Sequence, residues 1–517
     1  MKKKLALIFI ASMAIGMLSG CGQTTASQGG GVQKIEDAVN IVLSDSEITV
    51  DGNAISTDEA SDVYMANDIV FYLADQGFTY GEGDKKDEHT QEEADAHTVV
   101  HITKPGKYAV TGSLSAGQIA IDLGKEAKED PEAVVTLYLN GVDITCDVAP
   151  GVIFYNVYEC GDKDEDSATK DVDTSAAGAN VVIVDDTVNT VNGSYVARIY
   201  KSYTLNEAGT EVVDNKKLHK YDAAFYSKMS MNMDGGTKDT GILNINAENE
   251  GLDSELHLTI NGGNININSG NDGINTNEDN VSVTTINDGT LKITVNGSTG
   301  EGDGIDSNGW LVINGGTVWA SACGSSMDSG IDSDMGIHIN GGTVFASGNM
   351  LDTIDSEAQQ YVVFSGRGSF KGGTKYVVKD GDGKEIAEYT PENNFSNLVV
   401  SVEAIKADGA YTLWLEKEQV ATGVVGMTGF GGPGGFGRPG EFGGAGGFDG
   451  FGGFEGGFPE GGFPEGMEPG QMPEGFEGFG GFEGFGGFEG GFPEGGFPEG
   501  MAPGQKPEGG RPGKKDA

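Results

Sequence analysis

Between residues 98 and 260, apolar and polar residues alternate in short runs: "TVVHITKPGKYAV", "QIAIDL", "AVVTLYLNGVDITC" and "ANVVIVDD". Gly, Asn and Asp punctuate them. A period of two bounded by turn residues predicts half-buried β-strands. Further on, the pattern itself repeats. "MDGG", "INGG", "INDG", "INGG" and "INGG" align on Asp234, Asn261, Asn287, Asn314 and Asn340, at intervals of 27, 26, 27 and 26 residues. No helical period separates them. Parallel strands need a crossover, and here the crossovers are themselves strand-like. The arrangement that satisfies this is a parallel β-helix, whose coils stack at about 4.8 Å. Its Asn column would form a side-chain ladder at one corner, with the glycines supplying positive φ.

The period breaks after residue 360. "YVVFSGRGSF", "TKYVVKD", "NLVVSVEAI" and "AYTLWLEKE" predict a compact C-terminal β cap over 361–426, which the end of such a stack requires. From 427 to 517 the composition becomes Gly, Phe, Pro and Glu, and residues 452–471 recur almost unchanged at 486–505. This tail cannot bury a core and is expected to be disordered, with phenylalanines that could support self-association.

At the other end, Lys2, Lys3 and Lys4 precede "LALIFIASMAIGM" and then "LSGC". That is a secretion signal. Its cysteine resembles the bacterial lipobox, which implies a signal peptide over 1–20 and a lipidated Cys21 as the mature N-terminus. The chain is then expected on the extracellular face of the bacterial membrane, held by its lipid. Residues 21–45 read as a tether and 46–97 as an N-terminal β/acidic segment; 98–360 is the β-helix. Cys146, Cys160 and Cys323 remain. A Cys146–Cys160 bridge and three free thiols are both open.

Composition narrows the partners. The 87 glycines and 37% hydrophobic residues suit a repetitive fold with many tight turns and a thin core. With 79 Asp and Glu against 32 Lys and Arg, the formal charge of −47 disfavours nucleic acid.

Part of that charge is ordered. "EGLDS", "DGINT", "DGIDS", "DSGIDS" and "DTIDS" each carry an acidic residue, a turn, one apolar residue, then Asp or Asn followed by Ser or Thr. With Leu252, Ile274, Ile305, Ile331 and Ile354 inward, Asp253, Asn275, Asp306, Asp332 and Asp355 stack outward. Glu250, Asp272, Asp303, Asp328 and Asp352 form a second row at the bend. Two unit charges about 4.8 Å apart repel by about 1 kcal/mol in water and about 3.5 kcal/mol at an effective dielectric near 20. The columns must be protonated, solvated or neutralised. Calcium, which takes six to eight oxygens in irregular geometry, is the natural extracellular cation. The alternative is turn chemistry alone, with Asp and Asn capping backbone groups. The six histidines show no zinc pattern.

In "TVWAS" and "TVFAS", Val318, Ala320, Val344 and Ala346 take the inward phase. Trp319 and Phe345 then point outward on adjacent coils, with Lys292 in the same column one coil earlier and Trp310 outward on the preceding strand. Such aromatics suit stacking on sugar rings. Alternatively they pack under the acidic insertion at about 160–220 or the cap.

"VHITKPGKYAVTGSLSAGQIAIDL" (100–123), "VVTLYLNGVDIT" (134–145), "YDAAFYSKMSMNMDGG" (221–236) and the "GLDS…INGG" repeats resemble the bacterial carbohydrate-binding domain-containing β-helix family over residues 98–425. The resemblance implies a right-handed parallel β-helix, bound calcium, and binding of plant cell-wall polysaccharide: acidic sugars such as polygalacturonate, and cellulose. The segment at 160–220 and the tail depart from the family pattern. An open calcium position would let an acidic protein bridge to uronate carboxylates. Two other readings compete. One is a calcium-stabilised surface adhesin. The other is a polysaccharide lyase, which needs an Arg or Lys base beside calcium. Arg198, Arg367, Arg438 and Arg511 all lie outside the acidic repeats, leaving Lys292 as the nearest candidate. The reading is a binding protein, and no catalytic residue is assigned.

Overall fold

In the computed structural model, residues 33–355 and 358–426 are described. The signal segment, Cys21 and the 427–517 tail lie outside them. The described chain is all-β apart from the short helix Gln91–Asp95 and two turns of 3-10 helix.

The repeats build three series of parallel strands. The first runs through Met231–Gly235, His257–Ile260, Val283–Ile286, Trp310–Ile313 and Gly336–Ile339. The second runs through Val188–Gly193, Ile242–Ala247, Asn264–Ser269, Thr290–Val295, Thr317–Ser321 and Thr343–Gly348. The third runs through Gly117–Asp122, Val152–Asn156, Ala223–Ser227, Glu250–Ser254 and Ile274–Thr276, and continues as a bridge from Ile274 to Ile305.

The period-two pattern sets which side chains go in. Ile245, Ile267, Ile293, Ala320 and Ala346 stand in register on the second series and all are buried. Met233, Ile260, Ile286, Ile313 and Ile339 do the same on the first. With Phe225, Leu252, Ile274 and Ile305 from the third, they share one hydrophobic core. Because register is fixed residue by residue, a slip of one position would turn every one of these side chains out.

The corner ladder forms as the spacing predicts. Asn287 donates to Asn261, Asn314 to Asn287 and Asn340 to Asn314, each at 2.8 Å. Gly316, two residues after Asn314, has φ 72°, and a Cβ there would meet the Gly289 carbonyl oxygen at 2.7 Å. Only glycine lets successive corners approach this closely.

The ends differ from expectation at one point. The predicted tether is structured in its second half: Val39–Leu43 pairs in parallel with Gly106–Leu114, burying Ile41 and Leu43. The alternation in "VNIVL" is that of a strand, and it covers the first edge of the stack. At the other end, Thr343–Gly348 pairs antiparallel with Phe395–Ser401 of the cap. The cap adds a four-stranded antiparallel sheet and its own aromatic core. Residues 196–221 fold out as a hairpin, Val196–Leu205 against Val212–Tyr221. Cys146, Cys160 and Cys323 are free thiols.

Candidate functional site

The third series brings the acidic motif together. Asp253 lies beside Asn275 across adjacent strands. The Asp306 N–H donates to the Ile274 carbonyl at 2.8 Å and the Asp332 N–H to the Ile305 carbonyl at 2.7 Å, so these four residues occupy consecutive positions. The second row holds Glu250, Asp272 and Asp303, since the Gly251 and Gly273 amides donate to the carbonyls of Asp272 and Asp303.

Two expected members leave the columns. The Gly304 amide donates to the Ser329 carbonyl, so Ser329 follows Asp303 in the row. "DSGIDS" carries one residue more than "DGIDS", which displaces Asp328 by one position. Asp328 instead accepts from the Gly302 amide at 2.6 Å and from the Ser326 hydroxyl. Asp355 is exposed, because Ile354 bridges Ile337 of the first series and not Ile331. The chain is leaving the stack for the cap there, and the Tyr361 hydroxyl holds the Ile354 carbonyl. Asp352 stays close, accepting from the Ser333 amide at 3.0 Å.

The carboxylates crowd one another where water is scarce. Burial pushes Glu250, Asp253 and Asp303 well above the usual carboxylate range, reinforced by neighbouring acids. Burial and the charges of their neighbours raise Asp272, Asp306 and Asp332 to about 7. Among the described residues no Lys or Arg forms an ion pair with any of these six. Asp334, which the sequence reading passed over, is raised by the same causes. Its signal was the Asp-Ser-Asp spacing after Ile331.

Turn chemistry explains some of the oxygens. Asp272 accepts from the Asp303 amide at 2.7 Å, Asp303 from Ser329 at 2.5 Å, and Asp253 from the Asn277 side chain at 2.9 Å. It does not explain all of them. Glu250 Oε2 and Asn275 Oδ1 are buried without any hydrogen-bond partner. A buried oxygen left unpaired costs about 1–3 kcal/mol, and more when it carries charge. Carboxylates, an amide oxygen and backbone carbonyls are the donors a hard cation takes, so these residues fit calcium. Among the described residues, however, no three His, Cys, Asp or Glu side chains form a preassembled metal cluster.

The aromatic expectation divides. Trp319 is half-buried and lines a cleft of about 290 Å³ with Lys292, Ser321 and the cap residues Lys375, Glu388, Tyr389 and Glu392. Lys292 pairs with Glu392 at 2.7 Å. Phe345 does not face solvent. It is 3% exposed and stacks on Tyr389 with ring centroids 5.0 Å apart. The strand carrying it is the last of the parallel stack, and the aromatic core of the cap closes over it. Trp310 is half-buried in the first series, between Val283 and Gly336, so it does not share the second-series row of Trp319. The cap side of the cleft lies between 56 residues (Trp319 to Lys375) and 100 residues (Lys292 to Glu392) downstream, and no local pattern in the sequence connects them.

The fold and this site define an all-β protein with an oxygen-rich acidic column and an aromatic cleft. The chain belongs to the carbohydrate-binding domain-containing protein family, whose sequence model matches residues 96–388. A comparison with curated proteins finds no match. A solved structure described as a polysaccharide lyase-like protein from C. thermocellum, in a gadolinium derivative, is similar to it. That likeness has a TM-score of 0.33 at 19% identity, over 59% of this chain and 83% of the other.

Proposed function

We propose that this is a surface-anchored, non-catalytic protein that binds extracellular polysaccharide, with acidic plant cell-wall glycans such as polygalacturonate bound through calcium. Its three strand series wind as a right-handed parallel β-helix, and Cys21 carries the lipid that holds it at the outer face of the membrane. Family membership supports a carbohydrate ligand. The observation that carries the calcium dependence is the run of buried carboxylates without ion pairs, with Glu250 Oε2 and Asn275 Oδ1 unpartnered.

Glu250, Asp253 and Asn275 are buried, so an ion among them would serve the fold. Asp303, Asp306, Asp332 and Asp352 are half-buried and could share an ion with a ligand. When bound, calcium supplies positive charge that neutralises the column and accepts oxygens from uronate carboxylates. The protein side chains orient those oxygens and keep the column from repelling an acidic polymer. A lyase needs its base beside the metal. Lys292 sits on the second series and is held by Glu392, whereas the carboxylate column is on the third; Lys220, whose charge reaches Asp253 and Glu250, is held by Asp222 at 3.0 Å, which favours binding without cleavage.

The test is co-sedimentation of the mature full-length protein with insoluble polygalacturonate, in calcium and in chelator. Pelleting in calcium alone supports the reading. Equal pelleting in both conditions, or none in either, overturns its calcium dependence.

A further inference from the structure

The second series presents two parallel rows of outward side chains. In one, Thr190, Asn244, Asn266, Lys292 and Trp319 stand in register on successive strands. In the other, two residues along, Asn192, Asn246, Asn268 and Thr294 do so, and Ser321 continues the row buried under the cap. Between the rows the chain dips to Ile245 and Ile267, leaving an open trough of about 380 Å³. Lys292 borders both this trough and the Trp319 cleft.

The amides are held in place before any ligand arrives. Asn246 donates to Asn192 at 2.8 Å, Asn266 to Asn244 at 3.0 Å, and Asn296 to Asn268 at 3.3 Å. A side-chain amide has two donor hydrogens and two acceptor lone pairs. Each ladder bond uses one hydrogen or one lone pair, so donors and acceptors remain for a ligand, on side chains whose rotamers are already fixed. That lowers the ordering cost of binding. From Thr190 to Trp319 these two rows contain no carboxylate, although the chain carries a formal charge of −47; the first, Asp143, lies one strand earlier in register with Thr190, and the one lysine is paired with Glu392.

We propose that this trough binds an uncharged, linear, hydroxyl-rich polysaccharide chain lying across the strands, with one terminal or near-terminal sugar ring on Trp319. The strand spacing of about 4.8 Å sets a regular series of polar contacts, which a repeating polymer matches and a single sugar cannot. The proposal rests on the polysaccharide-binding reading and assigns a second face to it, separate from the carboxylate column.

The experiment titrates cello-oligosaccharides of two to six sugars into the mature full-length protein in chelator, by calorimetry. Affinity should rise at least tenfold between two and five sugars. Asn246→Ala/Asn266→Ala should lower affinity for the pentamer at least fivefold and leave the dimer unchanged, whereas Trp319→Ala should weaken both. Should the double variant fold poorly, Asn268→Ala provides the same comparison on one exposed side chain. Affinity that does not grow with length, or amide variants that change stability alone, would overturn the trough. If these oligomers fail while polygalacturonate still pellets in calcium, the trough falls and the calcium reading stands. If neither glycan binds, both fall.

Discussion

The side chain of Asn275 donates to Glu250 Oε1 at 3.3 Å, while Glu250 Oε2 and Asn275 Oδ1, both buried, have no partner at all. One contact thus satisfies half of each group and leaves two buried oxygens without a donor, which a bound cation or a proton on Glu250 would supply. Glu250→Gln removes a buried carboxyl that must otherwise hold a proton or a cation. It should raise the Tm of metal-free protein at pH 8 and lower calcium affinity at least tenfold. Thermal melts with and without chelator check this. A variant that melts lower in both conditions, with calcium affinity intact, would assign Glu250 a purely structural role.

The same carboxylates predict how stability varies with pH. Asp272, Asp306 and Asp332 titrate at about 7 in the folded protein, against 3.8 for an ordinary Asp. Between those values the folded state binds more protons than the unfolded chain. Their stabilising contribution is complete below about 4 and is lost as pH rises through 7. Metal-free protein should therefore melt at lower temperature at pH 8 than at pH 5.5. Saturating calcium should remove most of that difference, and its binding at pH 6.5 should release protons. Melting temperatures and proton release measured in two buffers test both statements.

At the aromatic end, exposure separates two roles. Phe345 is buried against Tyr389, so Phe345→Ala should cost about 3–5 kcal/mol of stability, read by urea denaturation. Lys292 and Glu392 are 44% and 46% exposed, and a pair so exposed is worth about 0–1 kcal/mol. Lys292→Met should leave stability nearly unchanged while weakening glycan binding. A Lys292→Met protein that binds every glycan normally would remove the cleft from the site.

Core and ladder should also separate. Ile267 is fully inward, and Ile267→Ala should cost about 2–5 kcal/mol. Asn287 is exposed and bonds to both Asn261 and Asn314, so Asn287→Ala should cost about 1 kcal/mol. Chemical denaturation of the two variants ranks them.

The sequence shows clearly what repetition writes into it. A period of two set the inward residues, and a 26-residue interval set the Asn corner, because both are local and recur. It showed poorly what depends on where the repeat ends. Asp328 shifted because one added residue moves a whole row, and Asp355 because the last turn pairs with the first series. Phe345 has the same local pattern as Trp319, yet only the later strand is covered by the cap. Glu388, Tyr389 and Glu392 reach the cleft through long-range folding, which no short window of sequence contains.

The most direct test of the central claim is calcium titration into metal-free, full-length mature protein at pH 7.5, with bound metal counted after dialysis. Saturable binding is expected, with Kd of about 10⁻³ M or tighter, as extracellular calcium modules show. Tm should rise with it, and Glu250→Gln and Asp306→Asn should lose bound calcium. No retained calcium and no change in Tm at ten times that concentration would contradict it, leaving the buried carboxylates protonated and the column as turn chemistry alone.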